Sequence, residues 1–168
     1  GIPTKYEAQY ENPSDPDLCD LDPNTGVGNP TPDYTYALFL AEVEVDTATG
    51  KATIIGYTCV DDVGNIGDLD SVNGQAYGGL SHSMGFALTE NYDDVKKHNN
   101  IAGAGIPQIK DIPDKFDIIH LVTERKKNPF GSSGASEAYQ SSGHVAVINA
   151  INNACGVRVY ELPALPAK

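Results

Sequence analysis

YTYALFLAEVEVDTATGKATIIGYTCV, residues 34–60, alternates with a period of two. Phe39, Ala41, Val43 and Val45 set one face apolar, while Glu42 and Glu44 take the other, as a half-buried strand requires. DTATGK supplies a turn with Gly50. Thr53 to Val60 returns in β-branched and aromatic residues, so the segment reads as a β-hairpin.

On the N-terminal side, residues 1–33 are rich in Pro, Asp, Asn and Gly and show no periodicity. An ordered surface loop, or an arm packed on a neighbour, is expected there, with disorder as the alternative. On the C-terminal side, DDVGNIGDLDSVNG (61–74) is a glycine-punctuated loop. Its aspartates (Asp61, Asp62, Asp68, Asp70) do not match the calcium-loop spacing, so turn-forming and helix-capping roles are expected. GQAYGGLSHSMGFALTENY (74–92) carries Ala76, Leu80, Met84, Ala87 and Leu88 at helical spacing. Gly78, Gly79 and Gly85 each weaken such a helix by ~1 kcal/mol relative to Ala. Keeping them points to close approach, either of a ligand or another backbone, or of a packed sheet.

Residues 101–115 read as loop and FDIIHLVTE (116–124) as a strand. Glu137 to Ala154 reads as an amphipathic helix with Val145, Ile148, Ile151 and Asn152 on one face, ended by Gly156. VRVYELP (157–163) reads as a last short strand. The order β-β-α-β-α-β makes residues 34–168 an α+β unit, a mixed sheet with helices packed on one face.

The 168 residues carry a formal charge of −12. That excludes a nucleic-acid partner, which needs clustered Lys and Arg. Arg125-Lys126-Lys127 is the basic run, read as a solvated turn. No apolar stretch approaches the ~18 residues of a membrane span. No signal peptide is visible, and the chain opens GIPTKYEAQY without Met, as after processing or excision from a longer polypeptide. Cytoplasm and periplasm both stay open. Cys19, Cys59 and Cys155 lack ligand spacing, so no iron–sulfur or structural zinc site is expected here, and free buried thiols or a reducing compartment fit. His82, His98, His120 and His144 show no paired metal spacing. His120 alternates with apolar residues and is expected to be a satisfied strand residue, whereas His82 could line a pocket.

NPFGSSGASEAY (128–139) concentrates the chemistry. Ser132 to Ser136 are all small, so a bulky group can approach the backbone, and their N–H groups lead into the expected helix start, an anion-binding arrangement. Glu137 stands at that start, where a dipole role alone would also place it. GSSGA (131–135) nearly spells a nucleophile elbow but has Ala135 where the motif needs Gly, with His82 or His144 as partners. A serine hydrolase is the formal alternative.

YALFLAEVEVDTATGKATI, NGQAYGGLSHSMGFALTE, IPQIKDIPD and GSSGASEAYQSSGHVAVINAINNACGVRVYELPALP occur in one order at one spacing. Together they resemble the C-terminal part of the molybdenum-binding region of the xanthine oxidase family, and within it the bacterial aldehyde oxidoreductases. The resemblance covers the chain from about Tyr34. It implies a portion of a larger molybdopterin-binding region, with molybdenum held by a pterin such as molybdopterin cytosine dinucleotide. It implies oxidation of aldehydes to carboxylic acids, with Glu137 in GASEAY as the base. Gln75 in NGQAYGG matches the glutamine that reaches the molybdenum or its pterin, and Ser133, Gly134, Ala135 and Ser136 match the loop that packs against them. No residue of this chain is implied as a metal ligand. The implied partners are the remainder of the enzyme chain or subunits carrying [2Fe–2S] clusters, an aldehyde substrate, and a second copy in a homodimer. EAYQSS after the glutamate, rather than the EPPL-like run of purine-oxidising relatives, favours aldehydes. GASE departs from the common G-x-G-E, and DVGNIGDLD from the usual loop. A non-catalytic scaffold of the same fold is the second class of function.

Overall fold

In the computed structural model, which describes residues 1–9, 18–31 and 33–167, the hairpin forms as Tyr36–Val45 (β1) and Ala52–Asp62 (β2). The Asp46 carboxylate accepts from the Ala48 N–H at 2.8 Å, and Gly50 takes φ +75° to close the turn. The two strands are antiparallel, with Phe39 opposite Cys59 and a register step between Glu42 and Val43. Lys115–Leu121 (β3) adds to the other edge of β2 in parallel, giving a mixed three-stranded sheet in the order β1-β2-β3. The strand ends three residues before the expected Glu124. Residues 10–17 and 32 of the expected arm lie outside the described residues. Within the rest of it, Cys19 and Asn29 form a short antiparallel bridge.

A parallel pair needs a crossover, and Leu69–Leu88 (α1) supplies it. The helix starts five residues earlier than the glycine-led reading, because the Asp68 carboxylate caps it by accepting from the Ser71 N–H at 3.1 Å. Ala76, Leu80, Met84 and Ala87 are buried at the expected spacing. Phe39, Ala41, Val43 and Val45 pack beneath with Tyr57 and Cys59. Helices cover one face of the sheet. On the other face Tyr36, Leu38, Leu40, Ile119 and Leu121 are exposed, and the register aligns Leu38, Val60 and Ile119 in one row. The three cysteines are free, with Cys59 buried and Cys19 and Cys155 exposed.

The second helix breaks in two. Ala138–Ser141 (α2) is a single turn, and Gly143–Cys155 (α3) begins after Ser142 leaves helical geometry at φ −137°. The cause is packing: a Cβ on Gly143 would lie 2.5 Å from Tyr57 Oη and 2.6 Å from Ser83 Oγ. Val147, Ile148 and Ile151 form the buried face of α3, whereas Val145, expected there, is exposed. Gly156 ends the helix at φ +73° as expected. Residues 157–163 form no strand. Arg158 Nη1 donates to Asn149 Oδ1 on α3 at 3.0 Å, Val159 packs on the core, and the Ala164 N–H donates to Ala87 O at 2.6 Å. The tail therefore crosses the helices and adds no strand to the sheet.

The glycines of α1 differ in role. A Cβ on Gly79 would meet Tyr139 Cβ at 2.7 Å, and one on Gly85 would meet Glu90 and Pro107, whereas Gly78 has no neighbour within 4 Å. Gly79→Ala is expected to destabilise the fold by about 1–3 kcal/mol through overpacking. Gly78→Ala should stabilise it by about 0.5–1 kcal/mol by lowering the entropy of the unfolded chain. Chemical denaturation of both variants checks the pair, and destabilisation at 78 would reveal a neighbour outside this chain. Burial pushes the Glu90 carboxyl above the ordinary glutamate range, against an opposing pull from His82. The folded state thus holds this proton more tightly than the unfolded chain. Its contribution is fully present below the unfolded value of about 4.3 and is lost as pH rises through the folded value. Glu90→Gln should therefore raise the unfolding temperature at neutral pH, with the difference vanishing below pH ~4.

Candidate active site

Asp62, the last residue of β2, anchors one side of the site. Arg125 Nη2 pairs with its carboxylate at 3.1 Å and donates to its backbone carbonyl at 2.8 Å. Nη1 donates to Thr123 O at 2.6 Å, Nε faces Asp33 Oδ1 at 3.5 Å, and the guanidinium lies 5.7 Å from the Tyr36 ring centroid. Arg125 is 5% exposed. The solvated-turn reading of the basic run is thus corrected for its first residue. The guanidinium is buried with Nη1 on the Thr123 carbonyl and Nη2 on both the carbonyl and the carboxylate of Asp62, a forked geometry that a hydrated lysine could not replace.

The small-residue loop is fastened to the segment leaving β2. Gly131 O accepts from the N–H groups of Asn65 and Arg125, each at 2.9 Å. Asn65 Nδ2 donates to Phe130 O at 2.9 Å, Ser132 Oγ to Asn65 O at 2.6 Å, and the Ser133 N–H to Val63 O at 2.8 Å. These bonds hold Phe130 at φ +57°, a left-handed conformation uncommon outside glycine. Gly131 follows at φ +71°, where a Cβ would lie 2.5 Å from Asn65 Nδ2. The Ser133 hydroxyl bonds Thr35 Oγ1 at 2.8 Å, and Thr35 also donates to Gly134 O. The hydroxyls of Ser132 and Ser133 are thereby spent on Asn65 and Thr35 rather than on a histidine, so the nucleophile elbow is not assembled.

Beyond Ser133 the loop opens. Thr35, Gly134, Ala135, Ser136, Glu137 and Ala138 line a cavity of about 450 Å³. Among the described residues, the N–H groups of 134–137 have no backbone acceptor, and space beside Gly134 is open. Glu137 also borders a second cavity of about 360 Å³, shared with Phe86, Gln140, Ser141 and His144. Phe86 stands edge-on between His82 and His144, with ring centroids 6.2 and 6.3 Å away. The Glu137 side chain makes no capping hydrogen bond and is exposed on this chain. It precedes one four-residue turn, not a long helix, which removes the dipole argument in both its structural and its anion-binding forms.

Gln75 lies on the stripe of α1 that continues through Gly79 and Ser83, four residues apart. Gly79 abuts Tyr139, and Ser83 Oγ donates to Tyr139 O and Gln140 O, each at 3.2 Å. The Gln75 stripe therefore runs onto the α2 turn that follows Glu137. The Gln75 side chain is exposed and lines neither cavity. Sequence reasoning missed Thr35 and Arg125, which fasten the loop. It had isolated the loop itself by its small residues. His120 is satisfied as expected, with Nδ1 2.9 Å from Asp61 and Nε2 2.9 Å from Asn73 Oδ1. Among the described residues, no group of three or more His, Cys, Asp or Glu could hold a metal ion. No helix among them is long and apolar enough to cross a membrane.

With this geometry in hand, the comparisons give the class. A profile of the molybdopterin cofactor-binding domain matches residues 1–113, and the chain belongs to that family. The match stops before the Glu137 loop. The aldehyde oxidoreductase of Megalodesulfovibrio gigas is 49% identical over 144 residues, covering 86% of this chain and 16% of that one. The solved aldehyde oxidoreductase from Desulfovibrio desulfuricans superimposes with a TM-score of 0.82 at 52% identity, over 85% of this chain and 16% of the other. The enzyme from Desulfovibrio gigas gives a TM-score of 0.86 at 47% identity, over 89% and 16%. The resemblance to xanthine-oxidase-family molybdenum enzymes is borne out, and the mixed sheet with its helices is the fold of part of their molybdopterin-binding region. The chain spans about a sixth of the length of these relatives.

Arg125→Lys keeps the charge and loses the fork, leaving Asp33 and Asp62 underpaired. Expected is a loss of about 2–4 kcal/mol in unfolding free energy, together with faster amide exchange at residues 129–133, read by mass spectrometry.

Proposed function

We propose that this chain is the part of a molybdenum-dependent aldehyde oxidoreductase that supplies the base, Glu137, and one wall of the cofactor pocket. The observation that carries the reading is the open cavity beside Glu137, walled by the small residues 134–136 with unpaired backbone donors. A pterin is planar and rich in hydrogen-bond acceptors, and this cradle fits it: free N–H groups, no bulky side chain, and a loop fixed by Thr35 and Asn65. Gly134, Ala135 and Ser136 would hold the group through their backbone N–H groups, Ser133 would fix the wall beneath it through its bonds to Val63 and Thr35, and Gln75 would offer an amide from the adjoining helix stripe. The cytosine dinucleotide form of the cofactor belongs to the same reading.

When bound, the molybdenum-pterin group supplies the two-electron redox step. Conversion of an aldehyde and water into a carboxylic acid releases two electrons and two protons. Glu137 accepts a proton from the attacking oxygen, which makes that oxygen nucleophilic. Its carboxylate is suited to the task because, among the described residues, no donor occupies it. [2Fe–2S] clusters in other parts of the enzyme would be the acceptor of those electrons. Further polypeptide of that enzyme closes the site around Glu137 and covers the exposed sheet face of Tyr36, Leu38, Leu40, Ile119 and Leu121. The homodimer implied by the resemblance completes the proposal.

Molybdenum determination on the protein isolated from its source, with intact mass of every chain present, is the first test. Stoichiometric molybdenum beside a longer chain or partner chains supports the reading; a metal-free protein complete at this length sinks it in favour of a scaffold. In the loaded enzyme, Glu137→Gln should lower kcat for aldehydes by roughly 100-fold to 10,000-fold with molybdenum content unchanged.

A further inference from the structure

Thr35 stands one residue before β1, and its hydroxyl meets the small-residue loop 98 positions further along the chain. It donates to Gly134 O. A threonine hydroxyl has one proton, so at the 2.8 Å contact between Thr35 Oγ1 and Ser133 Oγ the serine is the donor. The order Ser133 O–H, Thr35 O–H, Gly134 C=O is thereby fixed. The next residue begins a turn: the Ala138 N–H donates to Ala135 O at 3.2 Å, with Ser136 and Glu137 between them. Past the turn, Ser83 Oγ donates to Tyr139 O and Gln140 O, each at 3.2 Å. Gly134 supplies no restraint of its own. Space beside it is open to 4 Å, and glycine rotates more freely than any other residue. Among the described residues, its carbonyl has no donor besides Thr35.

We propose that Thr35 is a positioning residue: by holding Gly134 O it sets the direction of the Ala135 N–H beside the cavity and the start of the turn that presents Glu137. This rests on the reading that the loop faces the cofactor with Glu137 as base. The link is the trans peptide, whose C=O and N–H point to opposite sides of one plane. Fixing Gly134 O therefore fixes the Ala135 N–H. Were that peptide to rotate, a carbonyl would stand where the N–H stood, and an acceptor would meet the acceptor-rich edge of a pterin. Glycine leaves that rotation open, and the Thr35 hydroxyl closes it. Threonine suits the place because a β-branched side chain is stiff about χ1, so the hydroxyl is aimed before anything binds. The effect reaches Glu137 because its turn is held at both ends, by Thr35 through the Gly134–Ala135 peptide and by Ser83 through the carbonyls of 139 and 140.

The test uses the full-length molybdenum-loaded enzyme with Thr35→Val, which keeps the shape and loses the hydroxyl, and Thr35→Ser, which keeps the hydroxyl. Glu137→Gln runs alongside. Thr35→Val should lower kcat roughly tenfold to a hundredfold, the scale of a misplacement near 1 Å. KM should move little, the Mo(V) EPR signal of the partly reduced enzyme should shift, and Thr35→Ser should restore both kcat and signal to near wild type. Loss of molybdenum from Thr35→Val but not from Thr35→Ser supports the proposal equally. A Thr35→Val enzyme with wild-type kcat and EPR signal overturns it, as does equal impairment of the two variants. Should Thr35→Val fail to fold, Thr35→Ser and Thr35→Cys decide, because a thiol of similar size is a weak donor. A Cys variant severalfold slower than the Ser variant, with a shifted signal, supports positioning, and equal values overturn it. If Glu137→Gln remains fully active, the base assignment fails separately, and the EPR signal, which needs no turnover, judges Thr35: a shift supports it and no shift overturns it. If the wild-type protein holds no molybdenum, amide exchange judges it instead. Faster exchange at Ser133 and Ala138 in Thr35→Val than in Thr35→Ser supports a hydroxyl that fixes the loop, and equal rates overturn it.

Discussion

Asp61 and Asp62 are consecutive on β2, so strand alternation sends their side chains to opposite faces of the sheet. Asp61 points inward, where His120 Nδ1 lies 2.9 Å from its carboxylate beneath the helices. Asp62 points outward, where Arg125 clamps it and draws in Thr123, Asp33 and the ring of Tyr36. Each carboxylate alone would be costly to withdraw from water, and each is tolerable because a side-chain partner meets it at hydrogen-bonding distance, an imidazole for Asp61 and a guanidinium for Asp62. The two pairs divide the labour. The inner one ties β3 to α1, and the outer one ties the returning loop to the end of the sheet. The small-residue loop can be open on its far side because its near side is fixed by these pairs and by the Asn65 bonds.

Close backbone approach is the second constraint, and it follows from the first. With the strand ends fixed, α1 and α2 must share a narrow space above Tyr57. Gly79 admits Tyr139, and Gly143 admits the Tyr57 hydroxyl and Ser83. A methyl group at either position has nowhere to go, because the opposing atoms belong to side chains already at the bottom of the core. The break between α2 and α3 is a consequence: a continuous helix from Glu137 would carry Gly143 along a different line and lose the contact with Tyr57. The α2 turn after Glu137 is thus pinned from Gly79 and Ser83 on one side and from α3 on the other.

Much of this was legible in local pattern. The hairpin was readable because Phe39, Ala41, Val43 and Val45 alternate strictly, and the core stripe of α1 because Ala76, Leu80, Met84 and Ala87 repeat at helical spacing. The small-residue loop announced itself by composition. Other features depend on distant partners. VRVYELP has strand composition, yet Arg158 and Ala164 find partners on α3 and α1, and tertiary contacts override propensity. Val145 has the spacing of a core residue but faces outward, since the buried face of α3 is centred on Val147, Ile148 and Ile151. Arg125 sat in a basic run whose ordinary reading is solvation, and Asp33 and Asp62, 92 and 63 positions earlier in the chain, make it a buried clamp. The α1 glycines could not be sorted by sequence at all, because Gly78 and Gly79 are chemically equal and differ only in what the fold places against them.

The remaining exposure is itself informative. A parallel strand pair is ordinarily buried on both faces, yet on the outer face of this sheet Tyr36, Leu38, Leu40, Ile119 and Leu121 are left exposed by the described residues. Phe130 is held left-handed and is 92% exposed, a conformation that costs energy and leaves its side chain facing solvent. Among the described residues, the Glu137 side chain meets no hydrogen-bond donor. These three features lie along the loop side and outer face of one small sheet, and they share an explanation under the proposed reading. The surfaces that look unfinished are those against which a cofactor and the rest of a much longer enzyme would be laid, so the fold is locally complete where it fastens the loop and open where chemistry would need it open.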